Sequence, residues 1–83
     1  MNVVILDSAF KHGISEYAIN ICLLHSIAEV ILEEAPEKRL FVGFDHNANP
    51  LEIIGVIEGD TMLVIHAMKL RKQFHYLLGG TTR

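Results

Sequence analysis

Three stretches rich in β-branched and aromatic residues, Arg39 to His46, Leu51 to Glu58 and Met62 to Ala67, are separated by only two short turn signals. These are Asn47-Ala48-Asn49-Pro50 and Glu58-Gly59-Asp60-Thr61. Connections that short leave no room for a crossover, so consecutive strands must fold back antiparallel. Within the first stretch Leu40, Val42 and Phe44 fall on one face, and Phe41, Gly43 and Asp45 on the other. Ile27 to Glu33 carries enough Ile and Val for a further strand, and Glu33-Glu34-Ala35-Pro36-Glu37-Lys38 reads as an acidic, proline-marked loop.

The remainder is helical or short. Val3 to Leu6 is a brief strand that must join a larger sheet. Asp7 or Ser8 can cap one helical turn over Ala9 to His12, which Gly13 ends in a left-handed conformation. Ser15 is the next N-cap, with Glu16 near the positive end of a helix running to about Ser26. That helix has a thin polar stripe, so it is either deeply covered or docked on another chain, and an oligomer is expected. After Ala67 the chain turns basic and helical, with Leu70, Phe74, Leu77 and Leu78 as an apolar stripe and Lys69, Arg71, Lys72 and His75 off it. The predicted class is α+β: an antiparallel meander sheet of four to five strands, flanked by N-terminal helical turns and one C-terminal helix.

Eighty-three residues support a single domain, 1–83, in which 79–83 follow the Gly79-Gly80 stop as a frayed tail. An apolar content of 51 % with 20 % charged residues excludes a disordered chain. No apolar run approaches the roughly 20 residues of a spanning helix, and Met1-Asn2-Val3 lacks the marks of a signal peptide, so a soluble, cytoplasmic protein without membrane contact is expected. Cys22 stands alone in an apolar stretch and reads as a buried small hydrophobe. The five histidines lack His-x-His or His-x₃-His spacing, so neither a metal nor a cofactor is expected. Charge is polarised: residues 1–60 carry −7 and residues 61–83 carry +4. An acidic whole argues against indiscriminate nucleic-acid coating, yet the basic end can still hold a few phosphates.

Three runs in order carry a family resemblance: Lys11-His12-Gly13-Ile14-Ser15 opening a helix, Arg39-Leu40-Phe41-Val42-Gly43 opening the meander, and Val64-Ile65-His66-Ala67-Met68-Lys69 leaving the last strand. Together they resemble the BrnT toxins and related small proteins of the RelE/ParE-like superfamily, over roughly Ile5 to Leu78. The resemblance implies a sheet flanked by helices, metal-independent endoribonuclease activity and neutralisation by a cognate antitoxin. It matches Lys11 and His12 to the family's Lys-His pair and Lys69 to a basic position past the last strand. Where those toxins tend to read Ser-Ala-Arg-Arg, this chain has His66-Ala67-Met68-Lys69.

Metal-free RNA cleavage needs a base for the 2′-hydroxyl proton, a cation for the phosphorane and an acid for the leaving 5′ oxygen. Lys11, His12, His66 and Lys69 are the candidate catalytic residues; Arg71, Lys72 and His75 are the candidate RNA contacts. Plainer roles compete for the same residues: His66 alternates with Met62 and Val64 as a core histidine would, and three charges on a helix commonly form a solvated face. The missing arginine and the acidic net charge support the alternative, a non-catalytic binding module of the same fold that self-associates or binds a partner.

Overall fold

The computed structural model describes residues 1–79; of the expected tail, residues 80–83 lie outside the described residues. The elements in order are β1 (Asn2–Ile5), an N-terminal 3-10 turn (Asp7–Phe10), α1 (Glu16–Leu24), β2 (Ala28–Glu34), β3 (Glu37–Phe44), β4 (Pro50–Glu58), β5 (Thr61–Lys69) and a C-terminal 3-10 helix (Lys72–Gly79). The class is α+β, and β2 to β5 form the expected meander with successive antiparallel pairs. The sheet as a whole is mixed, in the order β1-β5-β4-β3-β2, because β1 pairs parallel with β5. The chain leaves β1, crosses one face through α1 and enters the sheet at the far edge. The meander then returns it beside β1 in the same direction.

Local signals act as their chemistry dictates. Ser15 Oγ accepts from the Ala18 amide at 3.1 Å and caps α1. Gly13 ends the preceding turn with φ +78°, a conformation that Gly adopts without a Cβ penalty. The Asp45 carboxylate accepts from the amides of Asn47 (2.8 Å) and Asn49 (2.9 Å), closing the turn before β4.

Three boundaries differ from the sequence reading. Glu33 to Lys38 is not a loop: β2 extends through Glu34, β3 starts at Glu37, and Glu34 pairs with Glu37, leaving Ala35-Pro36 as the turn. Ser8 does not cap its turn; its Oγ donates to the Ile65 carbonyl at 2.8 Å and ties the turn to β5. The basic segment is not an α-helix beginning after Ala67. Strand β5 continues to Lys69, the Leu70 amide donates to the Pro50 carbonyl (3.0 Å), and a 3-10 helix starts only at Lys72.

Alternation splits the core. On the α1 side Ala18, Ile19 and Cys22 pack on Leu51, Ile53, Met62, Val64 and Ala67. On the other side Leu40 and Val42 meet Leu70 and Leu77, with Ile54, Phe74 and Leu78 around them, so the expected apolar stripe of the C-terminal segment does cover the sheet. Gly43 is small for a reason: a Cβ there would lie 2.9 Å from the Cys22 carbonyl oxygen. Among the described residues no helix is long and apolar enough to cross a membrane.

Candidate functional site

The site begins with Glu52. In β4 the residues on the C-terminal-helix side are Glu52, Ile54 and Val56, and Glu52 has no exposure at all. A carboxylate without water must find donors. Arg71 supplies most of them: its backbone amide donates to Oε1 at 2.9 Å, its Nε reaches Oε1 at 3.1 Å and Oε2 at 3.0 Å, and Nη2 reaches Oε2 at 2.7 Å. His66 Nε2 lies 3.0 Å from the same Oε2.

Burial pushes the Glu52 carboxyl up, but the hydrogen bonds from the Arg71 side chain and backbone, the bond from His66 and the Arg71 charge outweigh it, and the net direction is down. Conversely, the bond to Glu52 raises Arg71, against a smaller opposing effect of desolvation. Glu52 is therefore ionised and accepts only. His66 Nε2 must carry the hydrogen it donates, and a neutral His66 ring keeps its lone pair on Nδ1.

His12 reaches this cluster from the other end of the chain. The 3-10 turn held to β5 by Ser8 delivers it, and its ring meets His66 edge to face at a centroid distance of 5.6 Å and an interplanar angle of 73°. The Arg71 guanidinium also lies 5.4 Å from the centre of the Phe74 ring, which braces it from the helix side.

The remaining sequence candidates divide. Lys11 is exposed at the C-terminal end of the same turn, next to His12. Lys72 opens the C-terminal 3-10 helix and is exposed, while His75 lies with Nε2 3.4 Å from the Leu70 carbonyl oxygen. Lys69 does not join the cluster. It pairs with Leu51, whose side chain is in the α1-side core, whereas His66 pairs with Ile54 of the opposite core, so Lys69 and His66 leave the sheet on different faces. Met68, paired with Glu52, shares the His66 side. Arg71, read from sequence as an RNA contact, is first of all the partner of a buried carboxylate.

Sequence reasoning missed Glu52. Its signal was present: an acid inside β4, away from the hairpin end where Glu58 lies, on the face it shares with Ile54 and Val56. Cys22 is as expected, fully buried, its thiol pushed up to about 12 by burial with Asp45 adding to the effect. Among the described residues no group of three or more His, Cys, Asp and Glu is placed to hold a metal ion. Compared with protein-family models, curated proteins and solved structures, the chain matches none.

Proposed function

We propose that the chain is the toxin component of a bacterial toxin–antitoxin pair: a metal-independent endoribonuclease of the cytoplasm, neutralised by a cognate antitoxin. One observation supports this above the others. His12 and His66, distant in the chain, meet ring to ring beside an arginine, which is the set of groups that metal-free phosphodiester cleavage requires.

In this reading a ribose 2′-hydroxyl gives its proton to His66 Nδ1 and its oxygen attacks the adjacent phosphorus. His12, as imidazolium, gives a proton to the departing 5′ oxygen, leaving a 2′,3′-cyclic phosphate and a 5′-hydroxyl. Lys11 and Arg71 Nη1, which is not among the donors to Glu52, face the charge of the phosphorane, and Lys72 and His75 contact RNA further along.

Purified protein is expected to cut single-stranded RNA in EDTA. His12→Ala and His66→Ala are each expected to lower the rate about 10²- to 10⁴-fold, the range for a general acid or base. Lys69→Ala is expected to retain the rate. Wild-type protein that leaves RNA intact in a nuclease-free preparation overturns the reading.

A specific observation favours the alternative, a non-catalytic binding module. Glu52 engages Arg71 Nε, Nη2 and backbone amide together with His66 Nε2, so much of the positive charge near the histidines is neutralised inside the protein. That reading expects intact RNA and harmless expression in bacterial cells.

A further inference from the structure

The α1-side face of the sheet is only partly covered. A nine-residue helix is about 14 Å long, whereas the nine-residue strands β4 and β5 run about 30 Å. Where α1 stops, a cleft of about 680 Å³ opens between its last turn and the sheet. Leu23, Leu24, Phe41, Ile57, Met62 and Val3 form its apolar lining. Exposed apolar side chains gather around it: Leu24 is 74 % exposed, Val3 44 %, and Ile31, on the same sheet face beside Arg39, 44 %. A layered fold buries each apolar face against another element, and here that element is missing from part of the face.

The charges at this cleft select what can fill it. Glu29 and Glu37 both line it and both bind Arg39, which lies between them, so the group carries one net negative charge. The acidic hairpin residue Asp60 lies at the same end, where the Asn2 amide donates to its carbonyl at 2.8 Å. The cleft is apolar within and acidic at its margin, which suits an apolar surface flanked by cations.

We propose that this cleft docks an amphipathic helix of a partner protein, apolar on the docking side and flanked by Lys or Arg. The inference stands apart from the ribonuclease reading, because the cleft and His66 lie on opposite faces of the sheet.

Two synthetic helical peptides with the same leucine face, one flanked by lysines and one by glutamates, test it by NMR titration of the full chain. The lysine peptide is expected to bind at least tenfold more tightly and to shift the amides of Leu24, Phe41 and Ile57. Glu29→Gln/Glu37→Gln is expected to abolish that preference. Leu24→Lys, at a position too exposed to matter for folding, is expected to abolish binding. Four outcomes overturn the proposal: no binding of the lysine peptide, equal binding of both peptides, shifts confined to the His12–His66 face, or a dimer in sedimentation that Leu24→Lys dissociates, which would make a second copy the occupant. None of these outcomes bears on RNA cleavage, so the two readings fail separately.

Discussion

A carboxylate moved out of water loses several kcal/mol of hydration, and Glu52 recovers it only because Arg71 and His66 meet both of its oxygens. Removing the acid takes the partner from the guanidinium and the imidazole, but the Arg71 side chain is 43 % exposed and can turn to water. Glu52→Ala is therefore expected to lower stability by about 1–3 kcal/mol in urea unfolding, and Glu52→Gln, which keeps the shape, by less. The pH dependence follows from the sign of the shift. Glu52 is held below its ordinary value in the folded chain, so its contribution is complete above the unfolded value of about 4.3 and is lost as pH falls through the folded one. Urea midpoints between pH 5 and pH 3 are expected to fall more steeply for wild type than for Glu52→Gln; parallel curves would remove Glu52 from that role. Cys22 gives a second prediction at this scale. Buried, with its thiol near 12, it is expected to resist iodoacetamide in native protein at pH 8 and to react once urea is added, as mass spectrometry would show. Cys22 was legible because a thiol in an apolar run needs no partner. Glu52 was not, because its meaning lies nineteen residues away in Arg71.

Two glycines on the α1 side of the sheet differ in what surrounds them. A Cβ on Gly43 meets the Cys22 carbonyl oxygen at 2.9 Å and the Ser26 Cα at 3.3 Å, both backbone atoms that move only if the helix end moves. A Cβ on Gly55 comes closer still, 2.6 Å, but to the Met62 side chain, which has other rotamers. Gly43→Ala is expected to lower stability by about 1–3 kcal/mol and Gly55→Ala by less, as thermal or urea unfolding would measure. Equal losses would mean that α1 is not held rigidly over β3. Element boundaries were legible where one residue sets them, as Ser15, Gly13 and Asp45 do. They were illegible where tertiary hydrogen bonds decide: Leu70 to Pro50 and Arg71 to Glu52 hold the chain extended after β5, although the apolar stripe alone suits a helix from there on.

At the level of the whole molecule, the two faces of the sheet carry different chemistry. One holds the His12, His66, Glu52 and Arg71 group; the other holds the acidic-edged apolar cleft. Alternation assigned Leu40, Val42 and Phe41 to their faces correctly, but the irregularity opposite Ile54 and Gly55 puts His66 on the face away from Met62 and Val64, with which plain alternation groups it. A bulge of that kind exchanges faces downstream of it and leaves no mark in composition. Lys69, three residues beyond His66 in regular register, leaves the sheet on the other face; under the proposed ribonuclease reading, Lys69→Ala combined with His66→Ala is expected to cleave RNA no more slowly than His66→Ala alone, and a further tenfold loss would return Lys69 to the site. The placement of β1 was beyond sequence reading as well, since a four-residue strand pairs equally well at either edge. Because β1 leaves the ribosome first and its neighbour β5 last, synthesis must proceed past Val64 before Val3, Val4 and Ile5 find their mates. Throughout that interval the apolar run from Val3 to Leu6 stays without its partner strand, the condition in which an unpaired segment is open to non-native pairing.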